Sequence, residues 1–229
     1  MAGHAYSATA VPSGRLARTA RSTGAGAPLA LAVLCAIAIL VVWAFAAFVP
    51  QTHAKDAVLL FHFTQLSTYR LDQPGELLLK GLAPLPFVIW GLALVAIALA
   101  RGRARTGLAV VAIMGLAPLT SETLKPLLAH PHLRIDTVLI GPASLPSGHS
   151  TAALALALSA ALVTPARLRP LVGAIGAVFA AVIGCYLLIL QWHMPSDVLA
   201  GFLVATMWTA LAVAALRAAE RRWPTHKSI

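Results

Sequence analysis

The tetrapeptide Pro146-Ser147-Gly148-His149 stands immediately ahead of an alanine- and leucine-rich run, so a hydroxyl, a residue without a side chain and an imidazole meet at a helix start. The first amides of a helix are unpaired donors, glycine leaves them accessible, and the helix dipole adds positive potential. Such a start attracts phosphate or carboxylate groups. A second cluster, Gln191 to Gly201, holds His193 and Asp197 four residues apart, the spacing that puts two side chains on one helix face. Pro195 sets His193 just ahead of the regular helix. A carboxylate on one ring nitrogen fixes the tautomer and strengthens the other nitrogen as a nucleophile. The plainer reading of this pair is a loop histidine beside a capping aspartate. In a third cluster, Ser121 to Asp136, Lys125 offers a phosphate its cation, and Glu122 lies three residues before it, within helical pairing reach. A lysine there also suits the end of a membrane span, where it snorkels to the headgroups.

The elements that must carry these clusters are membrane spans. Of the 229 residues, 59% are hydrophobic and 10% charged, more apolar surface than one water-soluble globule can hide. The expected architecture is all-α: a polytopic membrane protein whose six transmembrane helices run from Leu29 to Val49, Leu82 to Ala100, Gly107 to Leu124, Ser150 to Thr164, Leu171 to Leu190 and Val198 to Leu216. The fourth is the shortest. Residues 1–26 read as a disordered basic cytoplasmic tail, 27–219 as the membrane domain and 220–229 as a second basic tail. Twelve of the 17 lysines and arginines precede the first span, follow the sixth, or lie in the links between spans two and three and between spans four and five. That bias keeps both termini in the cytoplasm and turns loops 50–81, 125–149 and 191–197 outward, with all three clusters at the outer ends. The net charge of +10 thus reports orientation; the basic residues show no aromatic interleaving along a polar face, which argues against nucleic acid. In the first outer loop AVLLFHFTQL is apolar enough for an interfacial helix, Pro74 and Gly75 turn the chain toward the second span, and His53 and His62 read as interfacial bystanders. Cys35 and Cys185 fall inside apolar runs and read as buried small hydrophobes.

Together the clusters and their topology resemble the type 2 phosphatidic acid phosphatase superfamily, integral-membrane enzymes with a six-helix core, from about residue 80 to about 215. The resemblance is carried by Pro146-Ser147-Gly148-His149, by His193 and Asp197, and by Val198-Leu199-Ala200-Gly201 after them. It implies hydrolysis of a lipid phosphate or diphosphate, such as phosphatidate, phosphatidylglycerol phosphate or a polyprenyl diphosphate, with no metal or other cofactor. In the double displacement it implies, His193 attacks phosphorus, Asp197 orients it and His149 protonates the departing oxygen. Lys125, the Ser147 hydroxyl and the Gly148 amide hold the phosphoryl oxygens. Two positions depart from the family: Leu187 stands six residues before His193 in place of a phosphate-binding arginine, and His130-Pro131 stands in place of an Arg-Pro pair. A charged hydrogen bond is worth roughly 1.5 to 3 kcal/mol, so each loss costs about 10- to 100-fold in transition-state stabilisation. Arg134, or a protonated His130 or His132, is the candidate replacement. The partners expected are a lipid phosphate substrate and the lipids of the cell membrane, with the active site at the outer face; oligomeric state has no signature here. The rival expectation, motivated by Leu187 and His130, is a catalytically weak relative that binds lipid headgroups or scaffolds membrane partners. A transporter is disfavoured, because the polar residues gather near one surface instead of the bilayer midplane.

Overall fold

The computed structural model describes residues 24–132 and 140–224, and among these every regular element is a helix. Eight helices follow in chain order: α1 Gly26–Phe48, α2 Pro50–Thr64, α3 Tyr69–Lys80, α4 Pro84–Ala100, α5 Ala104–Leu127, α6 Gly148–Val163, α7 Arg169–Ile189 and α8 Pro195–Arg222. Proline opens four of them, standing in the first two positions of α2, α4, α7 and α8, where its fixed φ suits the helix and its missing amide costs nothing.

Helices α1, α5, α7 and α8 are long and apolar enough to cross a membrane; α3 and α4 together form a further candidate bent by 58°. The all-α membrane architecture is therefore as expected, with α6 again the short member. Its 16 residues span about 24 Å at 1.5 Å per residue, against about 30 Å of hydrocarbon. Packing explains how it stays apolar and short at once. Large apolar side chains of α1, α4 and α7, such as Leu34, Leu92 and Val178, project outward, whereas no large apolar side chain of α6 is exposed. Helix α6 is enclosed by α4, α5, α7 and α8, and its buried Ala152, Ala153, Ala155 and Ala157 let those neighbours approach.

Helices α6 and α8 approach closely. Thr151 Oγ1 donates to the Ser147 and Gly201 carbonyls at 2.8 and 3.1 Å, and Ser150 Oγ lies 3.1 and 3.2 Å from those of Ser147 and Val198. Ser121 of α5 joins the same stack through Thr151 at 2.8 Å. Glycine is required at 201: a Cβ there would overlap Ser150 Oγ and come within 2.5 Å of the Ser147 carbonyl oxygen.

Three local expectations are corrected. Pro74 and Gly75 do not turn the chain; both lie inside α3, and Gly75 is pressed against the Tyr186 ring with no room for a Cβ. The bend falls at residues 81–83, between α3 and α4, and the segment between α1 and that bend therefore contains two helices instead of one. Cys35 is buried as expected, but Cys185 is exposed on the outward side of α7. Helix α8 also continues to Arg222, through the first residues of the expected C-terminal tail.

Gly201→Ala should destabilise the protein by about 1 to 3 kcal/mol, the usual range for overpacking, seen as a lower Tm in detergent. An unchanged Tm would show that the α6–α8 crossing widens at no cost.

Candidate active site

The descent of α7 ends in a Schellman turn: Trp192 N–H donates to the Leu187 carbonyl at 2.9 Å, Gln191 N–H to that of Leu188 at 3.1 Å, and Gln191 takes a left-handed φ of 61°. The reversal delivers His193 directly ahead of α8. Asp197, in the first turn of that helix, accepts from the Met194 amide at 2.9 Å and faces His193 Nδ1 at 3.3 Å through the same oxygen, Oδ2. One carboxylate oxygen thus both caps the helix and faces the ring. With Nδ1–H directed at Asp197, the His193 tautomer carries its lone pair on Nε2. Asp197 is fully buried and its Oδ1 has no hydrogen-bond partner among the described residues.

The second cluster is tied to the first through the backbone, because Ser147 N–H donates to the Asp197 carbonyl at 2.9 Å. Pro146 follows a cis peptide bond, and Ser147 caps α6 by accepting from the Ser150 amide at 3.4 Å. Ser147 is fully buried, so the hydroxyl expected to meet an anion serves as the helix cap. Gly148 is the opening: a Cβ there would sit 2.9 Å from Glu122 Oε1 and 3.8 Å from Lys125 Nζ. Lys125 Nζ and Glu122 Oε1 form an ion pair of 2.7 Å. The His149 ring stands edge-on to Trp192 at 5.5 Å, with His193, Lys125 and Glu122 as its charged neighbours. Gly148 and Lys125 thus meet at a helix start, with His193 within electrostatic reach of His149.

A third group flanks Asp197. His53 of α2 lies 6.4 Å from the His130 ring and 6.2 Å from that of His132, and the latter two are 4.7 Å apart. His53, expected to be a bystander, therefore belongs to an imidazole cluster, while His62 is exposed as expected. His130 is buried with Nδ1 3.0 Å from the Leu128 carbonyl and Nε2 without a partner among the described residues; His132 Nε2 is 2.8 Å from Ser144 Oγ. Burial holds the His132 imidazole below its ordinary pKa, against the raising pull of Asp197. Beside this cluster Asp56 accepts from the Ser196 amide at 3.0 Å and from its hydroxyl at 2.6 Å, fastening α2 to the first turn of α8. Burial pushes the Asp56 carboxyl up, and the two Ser196 hydrogen bonds oppose that shift. Asp56 was not singled out from sequence, although its spacing of three from His53 is the available signal. Arg134 lies outside the described residues. Leu187 is fully buried in the apolar core, so no charge stands at that position. Among the described residues no group of three or more His, Cys, Asp and Glu side chains is placed to hold a metal ion.

The family model described as the PAP2 superfamily matches residues 106–221, just over half of the chain. The fold is similar to the crystal structure of the first transmembrane PAP2-type phosphatidylglycerolphosphate phosphatase from Bacillus subtilis, with a TM-score of 0.65 and 20% sequence identity over 86% of this chain and 98% of that one. No curated protein matches the chain significantly.

Asp56→Ala strips the partners from both Ser196 donors and should lower stability by about 1.5 to 3 kcal/mol, the range for hydrogen bonds to a charged group. Asp56→Asn keeps an acceptor and should lose less. Equal Tm values for the three chains in detergent would refute the clamp.

Proposed function

Since the chain belongs to the PAP2 superfamily, we propose that it is a membrane phosphatase that hydrolyses a lipid phosphate or diphosphate through a phosphohistidine intermediate. The observation that carries this reading is the convergence of the His193–Asp197 pair with the α6 start, joined by the Ser147 amide and the Asp197 carbonyl at 2.9 Å. In the first step His193 Nε2 forms a bond to phosphorus while the bond from phosphorus to the lipid oxygen breaks, and His149 gives that oxygen its proton. Asp197 stabilises the imidazolium character that develops as Nε2 is phosphorylated. Water then attacks phosphorus, His149 takes back a proton, and inorganic phosphate leaves His193 free. Lys125 and the amides at Gly148 and His149 face the oxygens on which charge redistributes, where preorganised donors contribute most. Ser147 acts by holding that turn, and His130 and His132 line the far flank. No step calls for a metal.

Phosphatidate, phosphatidylglycerol phosphate and polyprenyl diphosphates fit this chemistry equally, and their chains would lie against the outward apolar faces of the bundle. The charge bias supports a topology with both termini in the cytoplasm, six spans between residues 27 and 219, and the site at the outer face of the cell membrane. The buried Leu187 favours a second reading, a weakly catalytic headgroup-binding relative, because that position supplies no cation. Binding of lipid phosphate vesicles by a protein with no turnover would select it.

His193→Ala should abolish phosphate release from detergent-solubilised protein, and His149→Ala should slow it by about 10²- to 10⁴-fold, the usual contribution of a general acid. Undiminished release in His193→Ala would refute the assignment. Acid-labile, base-stable 32P on the wild type but not on that variant would identify the intermediate.

A further inference from the structure

The mechanism leaves Glu122 without a role, yet it stands beside the cradle. A carboxylate there is held by two attractions: the Lys125 ammonium at 2.7 Å and the positive end of α6, over whose first residue, Gly148, Oε1 is stationed. These are the same attractions that would receive a phosphoryl oxygen. The Glu122 side chain is 60% exposed while that of Lys125 is 24% exposed, so the acid can rotate into water and the base cannot leave as readily. His149 counts both among its charged neighbours, which puts the pair within electrostatic reach of the expected proton donor.

We propose that the Glu122 carboxylate occupies the phosphoryl seat in the resting enzyme, as an internal competitor that a phosphate must displace and that returns when phosphate leaves. The proposal rests on the phosphatase reading and adds an affinity-setting residue to it. On binding, Lys125 exchanges a carboxylate for a phosphoryl oxygen and Glu122 swings outward, because two like charges cannot share one helix start. No bond is made or broken in the exchange. Glu122 therefore weakens the binding of substrate and of product phosphate by the same factor, and speeds release after the second displacement. A carboxylate on a flexible side chain suits this purpose, since its return needs only torsional motion.

The test measures inorganic phosphate binding to the full chain in detergent by 31P line broadening, alongside KM and kcat for a lipid phosphate in mixed micelles. Glu122→Gln should bind inorganic phosphate about tenfold more tightly, within the usual range for coupling between two sites. KM should fall by a similar factor without a rise in kcat. Glu122→Asp, shorter but still charged, should return both constants toward wild type. Phosphate binding unchanged or weakened in Glu122→Gln would overturn the proposal and make Glu122 a support for Lys125. Tighter binding of the lipid without tighter binding of inorganic phosphate would also overturn it, because the acid would then act on the rest of the headgroup. Glu122→Ala, read the same way, covers a glutamine variant that does not fold. If the wild type lacks turnover but Glu122→Gln still gains affinity for inorganic phosphate, the seat stands and the enzymatic reading falls.

Discussion

The contact on which the rest depends is the crossing of α6 and α8 beside Gly201. Because no side chain separates the helices there, Ser150 and Thr151 of α6 reach the backbone carbonyls of α8, and the two helix starts lie side by side. Each helix begins with unpaired amides and the positive end of its dipole. Two such ends brought together would repel unless an anion lay between or beneath them. Asp197 supplies one buried charge from below, bonded to the Met194 amide, while the open side at Gly148 remains for an external anion. The geometry that makes the crossing tight therefore also gathers the donors that the proposed phosphatase chemistry would use.

Burying Asp197 completely is costly unless its neighbours compensate. The Met194 amide and His193 share Oδ2, and the His53, His130 and His132 rings crowd the flank, with His132 feeling the Asp197 charge directly. Asp56 prevents the arrangement from opening by holding α2 on Ser196, one residue away. Helix α2 is thus a wall of the site.

Much of this was legible in the sequence because it depends on local chemistry. A serine before a glycine at the head of an alanine run specifies a capped helix start, and Pro195 with Asp197 specifies the next one; both are found where expected. The long apolar helices α1, α5, α7 and α8 followed from apolar runs for the same reason. What escaped depends on contacts between distant segments. Nothing within residues 50–80 tells that Asp56 meets Ser196, or that His53 meets His130, because those partners are set by how α2 folds back over the bundle. Pro74 and Gly75 misled as a turn signal: Gly75 is a packing residue, needed where the Tyr186 ring presses on α3. Cys185 misled because an apolar run shows that a helix is in lipid or in a core, without showing which face is which.

Among the described residues, Lys125 brings its ammonium to the start of α6, and Leu187 brings no charge. A guanidinium carries permanent charge to wherever its side chain reaches, but Lys125 enters here already paired with Glu122, and the imidazoles carry charge only when protonated. On the phosphatase reading, the fixed donors among the described residues are the backbone amides at the start of α6, whose direction is set by the Ser147 cap and the α8 crossing. Amides cannot follow a ligand, so their contribution depends on placement to within a few tenths of an ångström. The Ser147–Asp197 backbone bond, the serine and threonine stack, the clamp from Asp56 and the glycine that admits no side chain all fix the same few donors in space.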